Sequence, residues 1–92
     1  MNTDDCKQLL LKHHINPLSS IAYEVNAKEY TLTLEWIMEQ FMAGSSESQK
    51  LFYESLSKVC DQDRKSVEKY FQDMGQLILM TSLSEVDHAV SL

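Results

Sequence analysis

The chain has 92 residues, 43% hydrophobic and 24% charged, with only two glycines and one proline; that describes one folded domain rather than a linker, a collagen or a disordered tail. Fourteen acidic against eight basic residues give a net charge of −6 and a pI near 4.8, which sets the chain against phosphate backbones and argues against direct nucleic-acid binding. The longest apolar runs, Leu9–Leu11 and Leu77–Met80, fall far short of the roughly 20 residues a membrane span needs.

The opening Met1-Asn2-Thr3-Asp4-Asp5 is acidic where a secretory leader is basic, so the expected compartment is the cytoplasm. Cys6 and Cys60 lack CxxC spacing and the density of a disulfide framework; they are expected as reduced thiols, Cys60 in the core. A chain of this size buries only about 60–65% of its unfolded surface. Self-association is therefore a natural further source of stability, and a homodimer is expected.

Thr3 can cap a first helix, with Asp4 and Asp5 favoured by the helix dipole in its first turn. It is expected to run to about His14 and stop at Asn16-Pro17, where the residue before proline is pushed out of the α region. Leu18 to Val25 is ambiguous. Asn16-Pro17 can open a short helix, while Ile21, Tyr23 and Val25 alternate as a strand does. A lone strand has no obvious partner, so helix is the expectation.

Asn26-Ala27-Lys28-Glu29 has capping-box form. Tyr30, Leu34, Ile37, Met38 and Phe41 then recur with helical spacing, and Gly44 fits a C′ position needing positive φ. Ser46 and Gln49 repeat the box ahead of Phe52, Leu56, Val59 and Cys60. Asp61 or Asp63 can cap a last helix with Val67, Phe71, Met74 and Ile78 on one face, widened by Tyr70 and Leu77. Gly75 interrupts that face at a cost of about 1 kcal/mol, and permits a close helix contact. Short connections imply antiparallel neighbours. The expected fold is all-α: a small bundle of three major helices (about 27–43, 47–60 and 64–81), preceded by one or two short ones. Residues 83–92, with Leu83, Val86 and Val90, form a tail that docks or frays.

Chemistry-bearing patterns are scarce. His13 and His14 are adjacent and diverge on a helix; Asp87-His88 lies in the tail. There is no HExxH or CxxC to bind a metal, no GxSxG nucleophile, and no phosphate-binding glycine loop. Glu35 and Glu39 stand one turn apart, yet a solvated acidic face accounts for them better than a catalytic dyad. The expectation is a non-enzyme without cofactor or metal.

A second stripe is more distinctive. Leu32, Trp36 and Ala43 lie off the main apolar face of the expected 27–43 helix, with Glu35 and Glu39 beside them. Trp36 either wraps the core edge or anchors an interface whose acidic rim steers a basic partner. Residues 24–47 carry five glutamates and one lysine, hence −4 of the total charge, whereas Arg64, Lys65 and Lys69 cluster at the start of the last helix. Met38, Met42, Met74 and Met80 suit either core filling or an adaptable binding groove. The candidate partner-binding residues are Leu32, Glu35, Trp36, Glu39 and Ala43.

The run Leu34-Glu35-Trp36-Ile37-Met38-Glu39-Gln40-Phe41-Met42-Ala43-Gly44, the helix Lys50–Val59 and the stretch Lys69-Tyr70-Phe71 to Gly75-Gln76-Leu77-Ile78-Leu79 together resemble the small AriR-type biofilm and acid-stress regulators of enterobacteria, over roughly Glu29 to Met80. Ser48-Gln49-Lys50 stands where that family's middle helix opens on Asn-Lys. The resemblance implies a helical homodimer that signals by protein contact. The leading expectation is thus an acidic regulator that binds another protein. The alternative is a phage or mobile-element inhibitor, of the immunity-protein kind, that blocks a nucleic-acid-binding or nuclease target with an acidic surface.

Overall fold

The computed structural model describes residues 2–91, with side-chain placement for residues 2–82. Its elements in chain order are α1 (Thr3–Lys12), β1 (Ser20–Val25), β2 (Lys28–Thr33), α2 (Leu34–Met42), α3 (Ser46–Gln62) and α4 (Arg64–Ser91). The fold is α+β, four helices and a two-stranded antiparallel hairpin. This corrects the all-α expectation of three major helices: residues 20–33 form neither a short helix nor the first half of a 27–43 helix. The side chains of Leu83, Val86, Asp87, His88 and Val90 lie outside those described.

The hairpin has clear local causes. Asn26 and Ala27 adopt φ of 54° and 63°, the pair of left-handed residues that a two-residue type I′ turn requires. The Asn-Ala-Lys-Glu run is therefore a turn, not a helix cap. From it the register follows, with Val25 opposite Lys28, Tyr23 opposite Tyr30 and Ile21 opposite Leu32. Ile21, Tyr23, Val25, Tyr30 and Leu32 belong to the core or pack against it. Ala22, Glu24, Glu29 and Thr31 occupy the opposite, exposed face. Glu24 lies directly across from Glu29, a like-charge pair that weakens the ladder.

Alanine is a poor resident of left-handed space, because its Cβ crowds the following carbonyl oxygen. Ala27→Gly should therefore stabilise the protein by about 1 kcal/mol and raise the melting temperature by roughly 4–8 °C. A calorimetric scan that shows no rise would mean the turn is not closed by this residue pair.

The helix caps also differ in detail from the sequence expectation. Asn2, not Thr3, caps α1: its side chain accepts from Asp5 N–H at 3.3 Å, while the Asp5 carboxylate accepts from Asn2 N–H at 2.9 Å. The helix ends at Lys12, two residues before His14 takes φ 62°. Thr33 caps α2 by accepting from Trp36 N–H at 3.1 Å. The loop before β1 completes that terminus, since the Ser19 and Pro17 carbonyls accept from Leu34 and Glu35 N–H, each at 2.9 Å. Gly44 has no positive φ. The carbonyls of Met42 and Gly44 accept instead from the Gln49 side-chain amide at 2.8 and 3.1 Å. Ser45, not Ser46, caps α3, and of the two aspartates it is Asp63 that accepts from Ser66 N–H at 2.7 Å to start α4.

The core lies among all four helices and the inner face of the hairpin. Cys6, Leu10, Ile37, Met38, Leu56 and Phe71 are its fully enclosed side chains. Phe41 stacks on Phe52 at 4.9 Å, Phe52 meets Tyr70 at 5.8 Å, and Tyr70 meets Phe71 edge-on at 5.9 Å, so one aromatic line ties α2, α3 and α4 together. Leu77, expected on the buried face of the last helix, is 53% exposed. Met38 and Met42 are buried, Met74 is half-buried and Met80 is exposed.

Gly75 does permit a close approach, though by a strand rather than a helix. A Cβ built there would overlap the phenol of Tyr23. The Tyr23 hydroxyl donates to the Phe71 carbonyl of α4 at 2.7 Å in a buried setting.

Candidate functional site

The short helix α2 carries the candidate surface. Leu34, Ile37, Met38 and Met42 turn into the core, which leaves Trp36, Glu39, Gln40 and Ala43 outward. Trp36, at 37%, is one of the large apolar residues left exposed. Glu39 is three residues on and Ala43 seven, the spacing of neighbours on one helix face. Ala43 is the C-cap residue. The structure therefore keeps Trp36, Glu39 and Ala43 together.

Leu32 and Glu35 are placed differently. Leu32 is in β2, opposite Ile21, and packs against the core; it belongs to the hairpin's inner face, not to a helical stripe. Glu35, half-buried, accepts an ion pair from Lys7 of α1 at 3.3 Å. Lys7 also lies 3.7 Å from Asp4. Its hydrogen bond to Glu35, and then the fields of Glu35, Asp4 and Glu39, hold the ammonium pKa above its ordinary value despite an opposing desolvation effect. One carboxylate of the expected acidic rim is thus committed inside the chain. Glu39 stays exposed, near enough for Lys7 to feel its charge.

Other titratable groups are arranged for packing. Burial, and secondarily the Asp5 carboxylate, pushes the Cys6 thiol up to about 11; burial followed by Asp61 raises Cys60. Both are buried free thiols, which keeps them protonated and weakly nucleophilic at neutral pH. Burial is likewise the first cause that lifts Tyr23 and Tyr70 to about 12. His13 Nε2 is 3.8 Å from an Asp61 carboxylate oxygen, and His14 is exposed. Among the described residues no three His, Cys, Asp or Glu side chains converge as a metal site. No helix among them is long and apolar enough to cross a membrane.

Two further surfaces escape a sequence reading. Leu77, with Phe41, Ile78, Thr81 and Ser82, lines a shallow groove of about 240 Å³ between α2 and α4, and Met80 is 56% exposed nearby on α4. A second cleft lies where the loop after α1, the start of β1, the start of α2 and the first turns of α4 converge. Neither has a local signature, because each draws its walls from elements far apart in the chain. Compared with known protein families, curated proteins and solved structures, the chain matches none.

Proposed function

We propose that this protein is a small acidic cytoplasmic regulator that works by binding another polypeptide, and that it does so as a homodimer. The observation that carries this reading is Trp36: a large amphipathic side chain held at the edge of the body on a capped helix, one turn from the exposed Glu39. Tryptophan is a favoured anchor of protein interfaces, and neighbouring acids speed encounter with a basic partner. The sequence resemblance to AriR-type regulators points to the same class of action.

Tagged full-length protein recovered from its host, with mass spectrometry of what accompanies it, supplies the partner. Trp36→Ala should then weaken that complex by about 2 kcal/mol or more, roughly thirtyfold in Kd, with helicity unchanged by circular dichroism. Because Trp36 is the only tryptophan, its emission should also shift to the blue as the partner covers it. A complex of undiminished affinity, or an emission spectrum that does not move on binding, would take Trp36 out of the interface. A light-scattering mass tests the dimer directly.

A second reading, a nucleic-acid-mimicking inhibitor, draws on Glu24 and Glu29, exposed and opposite one another on the outer hairpin face. Salt separates the two. The affinity of an acidic mimic for its target falls steeply as ionic strength rises, whereas a contact anchored on an indole changes little.

A further inference from the structure

The cleft between the loop after α1, β1 and α4 has a volume of about 330 Å³, at the lower end of the range for small-molecule sites. Its floor is apolar: the core residues Ile15, Leu34, Val67 and Phe71 reach it from three separate segments, the loop after α1, the start of α2 and α4. Its rim is polar, with Ser19 and Ser20 on one side and Arg64, Glu68 and Gln72 on the other. Among the described residues Arg64 has no carboxylate within ion-pairing distance, although Glu68 lines the same cleft one helical turn away.

We propose that this cleft binds a small amphipathic monocarboxylate. Its apolar part lies against Ile15, Ile21, Leu34 and Val67, over the enclosed Phe71, and its carboxylate meets the Arg64 guanidinium, whose planar fork fits a carboxylate in bidentate fashion. The rim hydroxyls and the Gln72 amide supply further donors. The backbone at the mouth is already committed, since the Ser19 carbonyl accepts from Leu34 N–H and the Ser19 N–H donates to the Asn16 carbonyl; recognition therefore falls to side chains. Glu68 works against an anion in this cleft, so the charge balance at the rim sets both affinity and selectivity.

The test is a titration of the isotope-labelled full chain with sodium octanoate, and separately with octan-1-ol, followed by amide chemical shifts. Octanoate should give saturable changes confined to residues 15–21, 34 and 64–72, with octanol at least tenfold weaker. Arg64→Gln should lower octanoate affinity about tenfold and leave octanol unaffected, while Glu68→Gln should raise it. The dispersion of the Arg64→Gln spectrum reports whether that variant is folded; should it not be, the octanol comparison and Glu68→Gln decide the matter. Absence of saturation, shifts spread over the whole chain, equal affinity for acid and alcohol, or indifference to both charge substitutions would each overturn the assignment.

Discussion

Tyr23→Ala should destabilise the protein by about 3–5 kcal/mol, the usual cost of deleting a large enclosed aromatic ring. Tyr23 is 3% exposed, packs between the hairpin and α4, and donates its hydroxyl to the Phe71 carbonyl. Domains of this size are stable by only about 5–15 kcal/mol in total, so the substitution should remove a large part of the whole. Urea unfolding followed by helical ellipticity measures it; a loss below about 1 kcal/mol would show that the hairpin contributes little to holding α4. Tyr23→Phe is the informative companion. It keeps the ring and removes one buried hydrogen bond, for about 0.5–1.5 kcal/mol.

The same residue has a pH signature. In the folded protein burial, with a lesser effect of Asp73, lifts the Tyr23 pKa from its ordinary 10.0 to about 12. Its contribution is therefore complete below pH 10. As pH rises further the unfolded chain releases this proton first, which pulls the equilibrium toward unfolding until the folded form also ionises near 12. Tyr70 behaves alike, for the same leading reason. Tyr23→Phe should flatten part of this alkaline slope and leave the rest.

Gly75→Ala should also destabilise, against the intrinsic preference of a helix. Alanine in a helix interior is better than glycine by about 1 kcal/mol. Here the added methyl group overlaps the Tyr23 phenol, and forcing it in costs about 1–3 kcal/mol of displaced side chain or bent backbone, beyond the loss of the hydroxyl contact. A net destabilisation of about 2 kcal/mol is expected. In a Tyr23→Ala background the obstacle is gone, so Gly75→Ala should become neutral or stabilising by up to about 1 kcal/mol. That change of sign in a double-mutant cycle is the decisive reading; identical effects in both backgrounds would mean the two residues do not share one space.

The helices were legible wherever a cap and a 3.6-residue period agreed. Asp63 ahead of Val67 and Phe71, and the Phe52–Leu56–Cys60 line of α3, needed nothing from the rest of the chain. The hairpin was not legible, because its marks were disguised. The usual Asn-Gly of a two-residue turn is here Asn26-Ala27, with alanine in a conformation it adopts at a cost, and the following Lys28-Glu29 completes an imitation of a helix cap. Tyr30 and Leu34 fit a helical period while Tyr30 and Leu32 fit a strand. Once 28–33 is read as helix, Ile21-Tyr23-Val25 has no partner, so one misreading produces the other.

The candidate site shows the same division. The placement of Trp36, Glu39 and Ala43 on one face follows from their spacing, which the true start of the helix at Leu34 leaves intact. Leu32 depended on the helix beginning earlier and moved with the hairpin. The commitment of Glu35 to Lys7 was invisible, because a pair joined across α1 and α2 has no signature in either segment. The cleft under Arg64 was hidden for the same reason.

The hydroxyl of Tyr23 and its acceptor at Phe71 are separated by 48 residues, and this has a consequence for how the chain is made. Synthesis runs from the N-terminus, so the hairpin emerges from the ribosome before the helix that receives it. Its turn and register can form at once from local residues. Its inner face, with Ile21, Tyr23 and Val25, stays without its berth until the segment around Gly75 has followed. An interrupted chain that ends before that glycine would present this apolar face and two unpaired strand edges to its surroundings, the kind of surface that chaperones hold and that other nascent strands can join.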